Sequence, residues 1–301
     1  MRPERQVPQG RSAAARTAHA PCPEGKNLRH AMPLHIPHID SAESLRRYLD
    51  EAAMRFNGPH FIADDPISVP HRFERLQDRE IIGFWAATLA WGQRKTIIQS
   101  ALRLAELMDG APYDFVLHHS EHERERFLDF KHRTFQATDT LWFLEFFQQY
   151  YRRHESLETA FARHLQAADT TTEPALLGFH RDFFDHPDAP RRTRKHVSTP
   201  ERGSTCKRLN MYLRWMVRHD EAGVDFGLWK RIRPAQLLVP LDVHVERVAR
   251  QLGLLHRPQT DWRAVLELTE ALRAFDPDDP VRYDFALFGL GAAARSSQWM
   301  R

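Results

Sequence analysis

PLDVHVERVARQLGLL, Pro240 to Leu255, is the stretch whose reading decides the fold. Apolar residues recur there at helical spacing (Val243, Val245, Val248, Ala249, Leu252), and Gly253 follows the last turn. Asp242 stands where an N-cap belongs. A carboxylate at that point faces the positive pole of the helix and unpaired backbone N–H groups, so its charged form is favoured. Asp242 therefore reads in two ways. It is a cap worth about 1 kcal/mol, or it is a fixed negative charge available for chemistry at neutral pH.

Working outward, the neighbouring signals are helical as well. Asp40 with Glu43 predicts a capping box opening a helix to about Phe56. Residues 57–77, with Pro59, Pro66 and Pro70, read as an extended connection. Asp78 is placed as the cap of REIIGFWAATLAW, which ends at Gly92, and a second helix runs from about Lys95 to Met108 before Gly110 and Pro112. Residues 113–137 read as a polar, basic connection. Helices are expected over 138–152, 155–167 and 174–185, followed by a basic loop, RRTRKHVSTPERG, Arg191 to Gly203. Ser204 is expected to cap TCKRLNMYLRWMVRH. Asp261 opens a helix to about Phe275, and Asp279 with Pro280 opens VRYDFALFG. Almost no run alternates with a period of two, so the expected fold class is all-α.

Composition narrows the function classes. With 19 Phe and 7 Trp, the 301-residue chain has the apolar side chains for a sizeable core. Two cysteines, Cys22 and Cys206, exclude a disulfide framework and any four-cysteine zinc or iron–sulfur site within the chain, and a reducing cytoplasm fits. No apolar run approaches membrane-spanning length and no h-region marks a secretory signal, so no membrane partner is expected. The net charge of +3 permits a polyanionic partner without requiring one. Residues 1–37 carry Arg2, Arg5, Arg11, Arg16, Lys26 and Arg29 against only Glu4 and Glu24, and no apolar periodicity. They read as a disordered basic tail; a transit peptide or a true start at Met32 would look similar. Eighteen histidines are scattered without zinc-ligand spacing. No metal or other cofactor is expected, and His244 reads as a structural histidine.

Two further stretches carry chemistry. In GSTCKRLNMYLRWMV, Gly203 to Val217, a turn with Pro200 and Gly203 leads into a helix bearing Lys207 and Arg208 in its first turns. Free N–H groups and tight backbone approach make such a start suited to a phosphate. Lys207 reads either as an amine beside a bound anion or as a solvated surface lysine. In AATLAWGQRKTIIQ, Ala86 to Gln99, the turn between two helices holds Gln93, Arg94 and Lys95. That turn is either an ordinary connection or an amide flanked by two cations that enters a groove. Trp85, Trp91, Phe135 and Trp215 are stacking faces or core residues. The runs 191–202 and 131–133 are phosphate-contacting surfaces or solvated charge runs.

Taken in order, these stretches resemble the helix-hairpin-helix DNA glycosylase superfamily of the endonuclease III and 8-oxoguanine glycosylase kind. IIGFWAATLAWGQRK matches the helix and turn that carry a gap-filling glutamine, with Gln93 in that position. PERGSTCKRLNMYL matches the hairpin and the helix that starts near a catalytic lysine, with Lys207 there. LDVHVERVARQLG matches the V-D-x-H-V-x-R-V helix start, with Asp242 as the family's aspartate. DWRAVLELTEALRAF and YDFALFGLG match the closing helices. The resemblance covers roughly residues 78–291. Within the superfamily the chain is most similar to a bacterial family of unknown function, distant from the archaeal 8-oxoguanine glycosylase branch. The hairpin PERGSTCK is longer than the Leu-Pro-Gly-Val-Gly turn of the superfamily, and the four cluster cysteines of endonuclease III are missing.

The resemblance implies two packed helical subdomains with a cleft between them, residues 78–235 and residues 38–77 plus 240–301. It implies a base-excision glycosylase, with or without AP lyase action, on damaged double-stranded DNA. Asp242 and Lys207 would be catalytic, and Gln93, Arg94, Lys95, Gly203, Ser204 and Arg208 would contact DNA. No protein partner is evident. The alternatives are a non-catalytic nucleic-acid-binding protein of the same fold, or a small-molecule or metal enzyme in a helical cleft.

Overall fold

Asp242 does cap a helix. Its Oδ1 accepts from the amides of His244 (2.9 Å) and Val245 (3.0 Å), two of the donors that a helix start leaves open. The helix it opens runs Val243–Gln251 and buries Val245, Val248 and Ala249, whereas Val243 is 69% exposed. The structure, a computed structural model, describes residues 39–294, so the tail predicted over 1–37 lies outside the described residues. Among the described residues there is no strand, only an isolated bridge between His132 and Phe135, and the fold is all-α. No helix among them is long and apolar enough to cross a membrane.

In chain order the helices are α1 (Ala42–Phe56), α2 (Pro59–Ala63), α3 (Leu76–Thr88), α4 (Arg94–Leu107), α5 (Pro112–His118), α6 (Glu121–Arg124), α7 (Ala137–Tyr151), α8 (Glu158–Ala162), α9 (Glu173–Phe183), α10 (Lys207–Val217), α11 (Val243–Gln251), α12 (Trp262–Arg273) and α13 (Tyr283–Ala293). The apolar sequence of α13, YDFALFGLGAA, suits a helix covered on more than one side. It packs against both α1 and α11. Glycines allow that closeness: a Cβ on Gly289 would lie 2.2 Å from Phe56 Cγ of α1, and one on Gly291 would lie 2.9 Å from His244 of α11. α3 is likewise buried from Glu80 to Thr88 and packs against α4, α5 and α10. Phe84 at its centre meets Phe143 and Phe147 of α7 and Tyr212 of α10 at 5.3–5.6 Å between ring centres. The abundant phenylalanine thus fills the contact between these helices, with offset and edge-on geometries typical of aromatic cores.

Several local expectations need correction. The first helix is capped by Ser41, reciprocally with Ser44, one residue beyond the predicted Asp40–Glu43 box. The proline-rich 57–77 stretch is not extended: it holds α2 and two 3-10 turns, with Pro59, Pro66 and Pro70 each at a first-turn position where a missing N–H costs nothing. Asp78 does not cap α3, which begins two residues earlier. Its Oδ1 accepts from the Tyr113 amide (2.8 Å) and so serves the start of α5. Residues 113–137 contain α5 and α6, the latter opened by a Ser120–Glu123 capping box, and bury Phe115, Val116 and Phe127. The helix expected over 155–167 is only Glu158–Ala162, because Ser156 Oγ (2.5 Å) and the Leu157 amide (3.0 Å) are turned to Glu80. Ser204 does not cap α10. Cys206 takes that place in a left-handed conformation (φ 48°), and Ser204 Oγ accepts from the Cys206 amide instead. Asp279 makes no cap bond; its carboxylate pairs with Arg218 (2.8 Å), and α13 starts after a 3-10 turn, Pro280–Arg282.

Candidate active-site cleft

Four helix starts open into one cleft of about 510 Å³. Arg94 is the first residue of α4, Lys207 the first of α10, Val243 the first of α11 and Asp284 the second of α13, and all four line it. Each of these helices has at least two turns, so their positive poles converge on the same space. Asp242 adds a carboxylate at the rim of that field. Pro240, Trp91, Phe61 and Phe288 supply apolar wall.

The charges in the cleft differ in how firmly they are held. Arg214 of α10 ion-pairs with Asp284 and with Asp225 (3.2 Å), and lies 4.4 Å over the Phe285 ring. Arg218, one turn on, pairs with Asp220 (2.6 Å), Asp225 (3.3 Å) and Asp279 (2.8 Å). This buried network locks the loop after α10 to the start of α13. Burial pushes the Asp284 carboxyl up to about 6, Arg214 pulls it back, and the Asp242 charge raises it further. Asp65, the cap of the turn Pro66–Ser68, is also raised by burial, opposed by its bond from the Ile67 amide and by the charges of Arg214, Arg94 and Lys207.

Among the described residues, two cations of the cleft have neither an ion pair nor a hydrogen bond to oxygen. The Lys207 amine lies 3.4 Å from Met211 Sδ and makes no ion pair among the described residues. Arg94 sits over the Phe288 ring at 4.9 Å and likewise makes none. The sequence-predicted catalytic pair, Asp242 and Lys207, thus lines one cleft together with Arg94 and Arg208. Arg208 is a clamp more than a free contact. Its guanidinium donates to the carbonyls of Thr88 (2.6 Å) and Lys195 (3.3 Å) and stacks over Trp91, and burial lowers it to about 10. Gln93, Lys95 and Gly203 are exposed outside the cleft lining, and Ser204 is half-buried there. Gly203 (φ 69°) and Cys206 both adopt left-handed backbone just before α10, and no side chain caps that helix. Its first amides are therefore left open to an anion.

Of the stacking candidates, Trp85, Phe135 and Trp215 are fully buried core residues, and only Trp91 reaches the cleft. The basic run 191–203 is partly internal: Arg192 pairs with the buried Asp139, whose carboxyl, against the cost of burial, is held below its usual value by the nearby His196 ring (3.4 Å) and the hydrogen bond from Thr193 (2.7 Å). His244 faces the Gly291 carbonyl (3.3 Å). Among the described residues no group of three or more His, Cys, Asp or Glu is placed to hold a metal ion.

The sequence reading missed Asp65, Arg214 and Asp284. A signal existed for two of them. Arg214 interrupts the apolar LNMYL–WMV face of α10, and Asp284 interrupts the apolar α13, and a charge inside a buried helix implies a partner.

Residues 65–293 match the family model described as a protein of unknown function, DUF2400, and the chain belongs to that family. No curated protein and no solved structure matches it. The matched span begins at Asp65 and includes every cleft residue discussed above except Phe61.

Proposed function

We propose that the protein is a DNA glycosylase of the helix-hairpin-helix type, acting on a nucleotide turned out of damaged duplex DNA, with its helices in the two-subdomain arrangement of that superfamily. The observation that carries this reading is the meeting of Lys207 and Asp242 in one open cleft, from helix starts far apart in sequence. The resemblance over residues 78–291 supports it independently.

Turning a nucleotide out of the stack costs a few kcal/mol, which backbone contacts must offset. The uncapped start of α10 and the unpaired Arg94 are suited to strand phosphates. Breaking the base–sugar bond builds positive charge on the sugar, and an ionised Asp242 opposes it. The Lys207 amine, when neutral, supplies the lone pair that forms a bond to the sugar carbon as the base leaves with the electrons of the glycosidic bond. Asp242 accepts the proton that the nitrogen sheds, and ring opening then gives the imine from which a strand can be nicked. Gln93, exposed at the turn before α4, would be the residue that fills a vacated stack position.

The test is excision from duplexes carrying oxidised, deaminated or abasic sites. Base release from at least one class, lost in Asp242→Asn, is expected, together with duplex binding that weakens steeply as salt rises. Salt-dependent binding with no release from any lesion would reduce the protein to a binding module, and the absence of duplex binding would overturn the reading.

A further inference from the structure

Four carboxylates line the cleft, and three of them are already engaged: Asp284 by Arg214, Asp242 by the first amides of α11, and Glu246 by Arg250 and Thr260. Asp65 is different. It is only 7% exposed, lines the cleft, and accepts one hydrogen bond, from the Ile67 amide to Oδ1 at 3.1 Å. Among the described residues no cation lies within ion-pair distance of it, although the charges of Arg94 and Lys207 act on it. The turn that carries it packs against α4, so its position is fixed by the same helix that presents Arg94. A buried carboxylate with an open oxygen facing a cavity gains most from a ligand that brings an N–H donor.

Resting on the glycosylase reading above, we propose that Asp65 is the specificity-determining residue of the base pocket and selects a lactam edge, a ring N–H beside a carbonyl oxygen. Asp65 accepts the N–H, and Arg94, a neighbouring cation without an ion pair, donates to the carbonyl. Trp91 and Phe288 line the same cleft and supply apolar wall beside a planar base. Hypoxanthine and uracil carry this edge. Adenine and cytosine present an unprotonated ring nitrogen at the same place, and its lone pair would face the carboxylate. Guanine and thymine share the lactam edge, and their pairing keeps them in the stack.

The experiment measures binding of the full chain to duplexes with a non-hydrolysable 2′-fluoro nucleotide bearing hypoxanthine, adenine, uracil or cytosine, and to a tetrahydrofuran abasic duplex. Hypoxanthine should exceed adenine, and uracil exceed cytosine, by about tenfold or more, the range of one good base-edge contact. In Asp65→Asn and in Asp65→Ser, both able to cap the turn, those ratios should fall to within about threefold, a single weak contact at most. Equal affinity for hypoxanthine and adenine alongside tight binding of the abasic duplex would overturn the role of Asp65, as would ratios that survive in both variants. Abasic duplex bound no better than undamaged duplex would overturn the glycosylase reading itself, and this inference with it.

Discussion

Substituting Asp242 separates its role as a helix cap from the catalytic role proposed for it. Its Oδ1 closes the His244 and Val245 amides at 2.9 and 3.0 Å. Asparagine offers a carbonyl oxygen at the same place and ranks with aspartate as a cap, so Asp242→Asn should change stability by only a few tenths of a kcal/mol. Asp242→Ala removes both bonds and should cost about 1–2 kcal/mol, lowering the melting midpoint by roughly 2–6 °C for a chain of this size. The charge works on a different scale. Opposing a cation that forms about 4 Å away, at an effective dielectric near 20, is worth about 4 kcal/mol, on the order of a thousandfold in rate. A thermal melt paired with single-turnover base release therefore distinguishes the roles. The asparagine variant should melt with the wild type and release base two to three orders of magnitude more slowly, roughly what the loss of that charge predicts; the alanine variant should lose both. Wild-type release by Asp242→Asn would refute the electrostatic role, and a melt as low as alanine's would refute the equivalence of the two caps.

Glu80 is fully buried and gathers four donors, from Tyr151, Ser156, Leu157 and Trp229, at 2.5–3.0 Å. Glu80→Gln replaces one acceptor oxygen by an NH₂ among donors and should cost about 2–5 kcal/mol in a urea titration, from one or two donors left unpaired; a loss below about 1 kcal/mol would contradict this. Asp284, pushed up to about 6 by burial against the pull of Arg214, binds its proton more tightly folded than unfolded. Its contribution to stability is full below about pH 4 and is lost as pH rises through about 6, with a slope of up to about 1.4 kcal/mol per pH unit. Asp284→Asn should flatten that part of the stability curve, and an unchanged slope would place the buried proton elsewhere.

How much of this was legible in the sequence depended on whether the cause was local. Asp242 and Asp261 announce their helices because a capping carboxylate acts within three residues of itself, and both cap as expected. The Ser120–Glu123 box was equally local and was hidden only by the polar, basic character of its surroundings. The displacement of Ser204 by Cys206 was not legible: a left-handed, non-glycine residue before a helix is imposed by packing around a buried thiol, which burial raises to about 11. Glu80 shortens α8 from more than seventy residues away. The cleft itself follows the same division. Lys207 and Asp242 were readable as helix starts, whereas Asp65, Arg214 and Asp284 acquire meaning only when the loop before α3, the middle of α10 and the start of α13 are brought together.

The proposed bond between Lys207 and a deoxyribose carbon is tested directly by borohydride reduction in the presence of an abasic duplex, followed by mass analysis of the tryptic peptides. A reduced sugar adduct on the peptide that contains Lys207, absent in Lys207→Gln, is the expected result. No adduct under conditions of full DNA binding, or an adduct confined to exposed amines such as Lys95 and Lys131, would contradict it.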